Sequence, residues 1–270
     1  MVYGIMEFRG LVAVKPLELS RIIYSPGKKL FGVIINAANK PQVYSSIINL
    51  LAKYSILPTS LFLISEDNVA EIMWVLDFSN AKISVEKIGK EILDVEGVHN
   101  VKYIKPLLKS LLVDTYHFPL LVRGERACIF KKSVLRELFR DIKKRLGETG
   151  KIFLFYQGME DGRNIFEDYR KYAKSNRGLL ALFAEVVKAV GWGVVEYIET
   201  DFARKTFLLK IYECMECELC KPSKEPCGFF SKGIIAGLLS RIVNEEVEVH
   251  ELMCIAKGDP YCLFRAGPRG

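Results

Sequence analysis

The sequence predicts an α+β protein of two domains. Three observations lead to this prediction: a length of 270 residues, a βαββαβ order of hydrophobic patterns in the first part, and amphipathic helices alternating with hairpin-like strand pairs in the second. Half of the residues are hydrophobic and 26% are charged, which excludes disorder, collagen and a small disulfide scaffold. We expect an N-terminal segment at 1–27, a first domain at 28–106, a linker at 107–118 and a second domain at 119–270.

The first domain begins with a strand-like run, FGVIIN, which leads through a turn at Pro41 into an amphipathic stretch. Two further strand-like runs, LFLIS and AEIMWVLDF, are separated by turn residues. Ser84 is the predicted N-cap of a second helix, and VHNVKYI forms the last strand. This is the ferredoxin-like βαββαβ order, with both helices on one face of an antiparallel sheet.

In its order and lengths, the segment 28–106 resembles the ACT domains, regulatory modules that often bind amino acids where the first strand meets the first helix. The turn typical of those domains carries a Pro-Gly pair, whereas Gln42 follows Pro41 here. Glycine at that place lets a ligand approach the backbone closely. We therefore expect a module that mediates dimerisation or docking, with amino-acid sensing as the alternative.

The second domain opens with an amphipathic helix over 131–146, whose basic residues, Lys143 among them, are expected on a solvated face. A phosphate contact by that basic face is the alternative. An aromatic-rich stretch with the glycines of QGMEDG and an apolar helix ending at Gly191 follow. Two hairpins are predicted, one over 192–214 and one over 246–267, with a helix between them.

Charge and hydropathy narrow the location and the partners. The net charge of +7 permits weak attraction to nucleic acid or acidic lipid, but it does not predict a direct nucleic-acid partner. The N-terminus lacks the pattern of a signal peptide, and the longest apolar stretch is interrupted by charges. We expect a cytoplasmic protein without a membrane anchor.

The cysteines are concentrated in the second domain, where six of the seven lie between 214 and 262. In a reducing cytoplasm this density indicates metal binding first, thiol redox chemistry second and disulfides third. Cys254 and Cys262 flank the turn at Gly258, so a hairpin places them side by side, at a separation suited to a shared zinc ion. Glu251 can face the same ion only if a bulge separates it from Cys254. Cys227, at the start of a helix, is favoured as a thiolate.

These residues carry a resemblance to a known family. The C-terminal signature of the 4-vinyl reductase domain, a small-molecule-binding family, is similar to the pattern Cys227, Gly233, Gly237, Glu251, Cys254, Gly258 and Cys262-Leu263-Phe264. The upstream FPLLVRGERACIF, YQGMEDG and GWG agree with it, and the resemblance spans about 117–267.

The resemblance implies a structural zinc ion beside an apolar ligand pocket, as in the aromatic-sensing transcription activators of this family. The implied zinc ligands are Cys227, Glu251, Cys254 and Cys262, and buried free cysteines are the alternative. The implied pocket residues are aromatic: Phe153, Tyr156, Phe166, Tyr169, Phe183, Trp192 and Tyr197. An ordinary aromatic core is the alternative for this set.

Cys214, Cys217 and Cys220 form C-x-x-C-x-x-C, which is not part of the family signature. They could bind a second zinc ion or an iron–sulfur cluster with one further ligand, exchange with Cys227 in an all-cysteine zinc site, act as a redox-sensitive loop, or form an exposed loop without a partner. His117 and His250 are possible further ligands, although a lone histidine is more often simply hydrogen-bonded.

The function expected from these sequence features is sensing of a hydrophobic or aromatic small molecule by a homodimeric regulatory protein. No helix-turn-helix pattern is evident, so regulation would pass through a protein partner. No catalytic residues are predicted, because GWG lacks the third glycine of a dinucleotide site and four protein ligands leave zinc no open position. The alternatives are an enzyme with a separately bound redox cofactor and a scaffold or tethering protein, since related folds occur in vesicle-tethering complexes.

Overall fold

The computed structural model describes residues 15–269, so the first part of the predicted N-terminal segment, residues 1–14, lies outside the described chain. The chain divides into two compact units, residues 1–127 and 128–270. Both combine helices with antiparallel strands, which confirms the predicted α+β class. Within the described residues, no helix is long and apolar enough to cross a membrane.

The first unit contains the predicted βαββαβ order. Its four-stranded sheet is entirely antiparallel, and its strand order is the ferredoxin-like one. The elements of this unit are β1 (Ile22–Tyr24), β2 (Leu30–Ala38), α1 (Pro41–Lys53), β3 (Leu57–Glu66), β4 (Val69–Asp77), α2 (Val85–Leu93), β5 (Val98–Ile104), β6 (Leu111–Val113), β7 (Leu120–Val122) and β8 (Glu125–Ala127). The sheet order is β3-β4-β2-β5.

Both helices of the first unit lie on one face of this sheet. Ile47 of α1 and Ile88 of α2 are fully buried in the same apolar cluster. Helix α1 begins at Pro41, where a proline loses no helical hydrogen bond. Helix α2 is capped as predicted, because the Ser84 side chain accepts the backbone N–H of Lys87.

The opposite face of the sheet is covered in part by the stretch at 107–118, for which a linker was expected. This stretch contains β6, which pairs with β1, and Leu112 packs with Leu30 and Ile34. The Asp114 carboxylate is buried and binds the Arg21 guanidinium as well as His117 Nδ1, the latter at 2.8 Å. Apolar packing and this ion pair therefore attach the stretch to the first unit.

The second unit places helices against a second antiparallel sheet of order β11-β12-β10-β9. Both predicted hairpins are present, as β9–β10 and β11–β12. The elements are α3 (Lys132–Arg136), α4 (Ile142–Leu146), α5 (Glu148–Tyr169), α6 (Asn176–Ala189), β9 (Val194–Asp201), β10 (Thr206–Tyr212), α7 (Met215–Leu219), α8 (Phe229–Val243), β11 (Val247–Met253) and β12 (Cys262–Pro268).

Helices α5 and α8 cross at very short range because glycines line both sides of the contact. A Cβ atom added at Gly158, Gly162, Gly233 or Gly237 would lie 2.0–2.2 Å from a carbonyl oxygen of the facing helix. No side chain fits at that distance, so only glycine permits this crossing. The glycines of QGMEDG and of the C-terminal signature are thus the two halves of one helix contact.

The helix expected over 131–146 is interrupted by a π-helical turn at Glu137–Asp141, between α3 and α4. Such a turn inserts one residue into the helical repeat and rotates the residues that follow. The prediction that Lys143 lies on a solvated face is wrong for this reason. Its side chain is 9% exposed and points into the unit, whereas Leu138, expected inside, is 53% exposed.

Candidate functional site

The cysteine-rich region of the second unit is assembled from three places in the chain. Helix α7 carries Cys217, with Cys214 and Cys220 at its two ends. Cys227 stands just before α8, and the loop between β11 and β12 brings in the last two cysteines. All six cysteines of this region have free thiols, and only Cys220 is more than slightly exposed.

Four of these groups lie close enough together to hold one metal ion. The ligand atoms of Cys217, Glu251, Cys254 and Cys262 are all within 4.8 Å of one another. Three members of the implied zinc set, Glu251, Cys254 and Cys262, are therefore together. Cys217 occupies the place in this group that was expected for Cys227. The donor set of three thiols and one carboxylate suits a zinc-type ion.

The bulge required for Glu251 is present, because the pairing of β11 with β12 shifts register between Glu251 and Met253. The carboxylate then turns toward the cysteines. Its Oε2 accepts the backbone N–H of Gly228 at 2.9 Å, and its Oε1 accepts from Cys217 Sγ at 3.5 Å. Burial, together with the charge of Cys254, raises the pKa of Glu251 to about 9, a shift that a bound cation would reverse.

The remaining three cysteines extend this group. Cys227 is in side-chain contact with both Cys217 and Cys254, and Cys214 is in contact with Cys217 and Cys262. Cys220 contacts Cys227. The six thiols thus form one continuous cluster, which we call the thiol cluster.

Two buried charged residues border the thiol cluster. Lys143 Nζ donates to Cys220 Sγ at 3.1 Å and to the Cys227 carbonyl oxygen at 2.8 Å. Glu216 is 0% exposed and accepts the backbone N–H groups of Phe230 and Ser231 at the start of α8, at 3.1 and 2.9 Å. Burial raises the pKa of Glu216 to about 7, although Lys143 opposes the shift.

The pKa of Lys143 responds to the same neighbours. Burial alone would lower it, but the charges of Glu216 and Cys220 outweigh burial and raise it. A hydrogen bond from Cys227, with Lys143 nearby, lowers the pKa of Cys220 to about 6 in spite of burial. The edge of the cluster at Cys220 is therefore set up for a thiolate paired with an ammonium group.

A separate apolar cavity of about 290 Å³ lies between α5, α6 and α8. Its wall consists mostly of aliphatic and aromatic side chains. Three of the predicted pocket residues, Tyr169, Phe183 and Trp192, line it. The other members of its lining are Asp161, Ile165, Val186, Val187, Val190, Ile211, Phe230, Ser231, Ile234 and Ile235.

The other four predicted pocket residues are not part of this lining. Phe153 and Tyr156 are 48% and 55% exposed on α5. Phe166 packs at the edge of the core beneath the guanidinium groups of Arg170 and Arg241. Tyr197 lines a small neighbouring void, behind Phe183. An aromatic pattern alone does not distinguish the cavity wall from the outer face of the same helix.

The cavity contains one carboxylate that no other group satisfies. Among the described residues, the Asp161 side chain has no hydrogen bond or ion pair, and burial raises its pKa. An unpartnered carboxylate in an apolar wall is costly in free energy. It therefore marks the place where a bound molecule would present a hydrogen-bond donor or a positive charge.

The cavity and the thiol cluster are joined by one hydrogen-bonded residue. Trp192 Nε1 donates to Ser231 Oγ at 3.2 Å, and the same oxygen lies 3.7 Å from Cys214 Sγ. Trp192 and Ser231 both belong to the cavity wall. A change on either side can reach the other through a single side chain.

Sequence reasoning did not assign a role to four residues of this region: Asp161, Lys143, Glu216 and Ser231. Two of them stood inside motifs that were noticed, Asp161 in QGMEDG and Glu216 in the C-x-x-C-x-x-C run. The possible histidine ligands lie elsewhere, since His117 binds Asp114 and Glu71 and His250 contacts Glu248.

Comparison with known proteins identifies this region. Residues 207–268 match the sequence model of the vinyl-4-reductase domain. The chain carries a vinyl-4-reductase domain. The match includes β10, α7, α8 and the β11–β12 hairpin, and so it contains the whole thiol cluster. This confirms the family resemblance.

Several relatives are uncharacterised proteins of Methanocaldococcus jannaschii. MJ0745 is 28% identical over 144 residues, which cover 50% of this chain and 69% of that protein. MJ0150 is 29% identical over 107 residues, covering 40% of this chain and 58% of that protein. MJ0855 is 31% identical over 137 residues, covering 44% and 59%. The shared part is thus about half of this chain.

Solved structures give further likenesses at low identity. The phenol-responsive sensory domain of the transcription activator PoxR is 18% identical, with a TM-score of 0.49, over 54% of this chain and 78% of that chain. A vinyl-4-reductase family protein from Methanocaldococcus jannaschii is 18% identical, with a TM-score of 0.34, over 54% and 100%. The ACT domain of GTP pyrophosphokinase from Chlorobium tepidum is 16% identical, with a TM-score of 0.25, over 28% and 99%.

Proposed function

We propose that this chain is a regulatory protein whose vinyl-4-reductase domain senses a small, largely apolar molecule in the cavity between α5, α6 and α8. The observation that carries this proposal is the cavity itself. Its volume of about 290 Å³ is at the lower end of the range for small-molecule sites. The apolar wall with few polar groups is also typical of such sites.

The cavity's polar groups define the ligand further. The Trp192 indole N–H already has its acceptor in Ser231, so Asp161 is the wall residue whose carboxylate has none among the described residues. A ligand that fits is an apolar body carrying one amine or one strong hydrogen-bond donor. An ion pair or charge-assisted bond in a desolvated wall contributes more than a neutral one.

Zinc is the metal that we propose for the thiol cluster. Thiolates together with a carboxylate suit zinc, and a site closed by four protein ligands contributes to folding and not to chemistry. Glu251, Cys254 and Cys262 are three of its ligands, and Cys217 or Cys227 supplies the fourth. The ion holds α7, the start of α8 and the β11–β12 loop together beside the cavity.

The first unit is proposed to join two copies of the chain. Strand β3 is an edge strand of the sheet, and it exposes Leu61, Phe62, Leu63 and Ile64 by 38–56%. An exposed apolar edge of this kind is a template for pairing with another strand. The pairing of two β3 strands would supply the homodimer, and a protein partner would receive the signal.

Native mass spectrometry of the purified chain tests the proposed function. The expected result is a dimer that carries zinc and a non-covalent apolar compound, released on denaturation and not converted during incubation. A bound redox cofactor, or turnover of the compound, would favour an enzyme instead. A cavity that binds neither phenethylamine nor propylbenzene would favour a scaffold.

A further inference from the structure

We propose that the thiol cluster holds two zinc ions bridged by the Cys217 sulfur. The inference rests on the proposed zinc site and extends it. A single tetrahedral zinc ion uses four donors, whereas seven metal-ligating groups converge here: the six thiols and the Glu251 carboxylate. Three donor groups are therefore left over after one ion is bound.

The contacts within the cluster extend beyond one coordination sphere. Only Cys217, Glu251, Cys254 and Cys262 lie mutually within 4.8 Å among the described residues. Cys214 joins at the side of Cys262. Cys227 joins at the side of Cys254, and Cys220 lies beyond Cys227. The cluster is thus elongated, with unused thiols at both ends.

Cys217 occupies the middle of this elongated cluster. Its sulfur is in contact with the sulfurs of four other cysteines, one or more on each side. Two four-coordinate ions need eight donor positions, and seven groups supply eight when one sulfur is shared. The residue in contact with both ends is the one placed to be shared.

The surroundings of Cys220 support a second ion at that end. Lys143, whose side chain is 9% exposed, places its ammonium group 3.1 Å from Cys220 Sγ. A buried ammonium group in that position offsets the excess negative charge that a multi-thiolate site keeps after binding divalent ions. The carboxylate oxygen of Glu251 in the donor set favours zinc over copper(I), which prefers sulfur alone.

The stoichiometry of zinc tests this inference. The full chain is purified without chelator under reducing conditions, and zinc per folded chain is measured by elemental analysis, with circular dichroism as the check on folding. We expect two zinc ions in the parent protein and in the Cys128→Ser control, because Cys128 is exposed and outside the cluster. We expect one in Cys220→Ser, which removes a ligand from one end only.

The outcomes separate the two proposals. One zinc ion in both the parent and Cys220→Ser would overturn the second ion and leave the proposed zinc brace intact. No zinc in the folded parent would overturn both, and an iron–sulfur absorbance would also overturn both.

Cobalt(II) loading tests the shared sulfur separately from protein stability. When two cobalt ions share a thiolate, their spins couple, so the EPR signal per cobalt should fall as the second equivalent binds. In Cys220→Ser the signal should stay at the one-ion level. Two equivalents that bind with additive EPR intensity would contradict a bridge at Cys217.

Discussion

The indole N–H of Trp192 donates to Ser231 Oγ at 3.2 Å, and this bond joins the wall of the apolar cavity to the helix that begins at the thiol cluster. Ser231 also lies 3.7 Å from Cys214 Sγ. Because one side chain touches both sites, occupancy of the cavity and binding of zinc should be coupled. By thermodynamic linkage the coupling must act in both directions.

The first prediction concerns this coupling. Propylbenzene in the cavity should slow the release of zinc to a chelator in the parent protein, and Ser231→Ala should abolish most of that effect. The variant leaves the buried Trp192 N–H without its acceptor, which costs about 1–3 kcal/mol. Ser133→Ala, on the exposed side of α3, is the matched control. Equal slowing in the parent protein and in Ser231→Ala would rule out this route.

The second prediction concerns the polar end of the ligand. Phenethylamine should bind more tightly than propylbenzene by about tenfold or more, which corresponds to about 1.4 kcal/mol and is within the range for hydrogen bonds to charged groups. Asp161→Asn should remove this preference, and Asp168→Asn should keep it, because Asp168 binds Lys171 instead. Calorimetry measures both affinities.

The same carboxylate gives a pH dependence. Burial raises the pKa of Asp161, so the carboxylate gains a proton at a higher pH than an exposed aspartate does. The affinity for phenethylamine should therefore begin to fall, on acidification, above the usual range of aspartate, whereas the affinity for propylbenzene should not change. An unchanged amine affinity down to about pH 4, near the ordinary aspartate pKa, would count against Asp161 as the ligand's partner.

The third prediction concerns the glycine contact between α5 and α8. Gly233→Ala should destabilise the second unit by several kcal/mol, because its Cβ would lie 2.1 Å from the Phe155 carbonyl oxygen, and the helices must separate to admit it. Gly267→Ala is the control, since the nearest atom to its Cβ is 3.7 Å away. Thermal unfolding compares the two, and equal melting temperatures would contradict the close crossing.

The fourth prediction concerns the first unit at low pH. Burial disfavours the charged form of Asp114, but hydrogen bonds from His117 and from the backbone outweigh burial and lower its pKa. A lowered pKa means that the stabilisation is present above the unfolded-state pKa, about 3.9, and is lost as the pH falls through the folded value. Asp114→Asn should reduce both the stability at neutral pH and the acid sensitivity.

Urea unfolding followed by Trp74 fluorescence, in a Trp192→Phe background, measures this effect in the first unit. Loss of the buried carboxylate should cost about 1–3 kcal/mol at neutral pH, and Asp94→Asn, at an exposed position, should cost little. Parallel loss of stability with acid in the parent and in Asp114→Asn would show that another group is responsible.

The fifth prediction concerns the dimer. Leu63→Lys should place charges on the exposed β3 edge and convert the proposed dimer to a monomer in light scattering, with an unchanged circular dichroism spectrum. Leu93→Lys, at the end of α2 and 47% exposed in the parent, should remain dimeric. A dimer that survives Leu63→Lys must use another surface.

Much of the fold follows from local signals in the sequence. Ser84 caps α2 because a serine followed by apolar residues at helical spacing offers few other structures, and the bulge after Glu251 was required by its spacing to Cys254. Lys143 could not be placed in this way, because a π-helical turn changes the helical repeat without a clear sequence signal. The convergence of the six thiols depends on three distant segments, which the sequence does not bring together.

The candidate site was predictable to a similar extent. Glu251, Cys254 and Cys262 follow from one hairpin, and the sequence brings them together. The choice between Cys217 and Cys227 depends on how α7 packs against that hairpin, which is a tertiary contact. In the same way, Tyr169 lines the cavity and Tyr156 does not, although both are aromatic residues of α5, because only the packing of α6 and α8 decides which side of α5 is enclosed.

Crystals of the full chain grown with phenethylamine, and separately with propylbenzene, would show whether the cavity is a ligand site. We expect density for both compounds in the cavity lined by Tyr169, Phe183 and Trp192, with the amine within hydrogen-bonding distance of Asp161. A cavity closed by its own side chains, with neither compound present, would contradict the proposed sensing function.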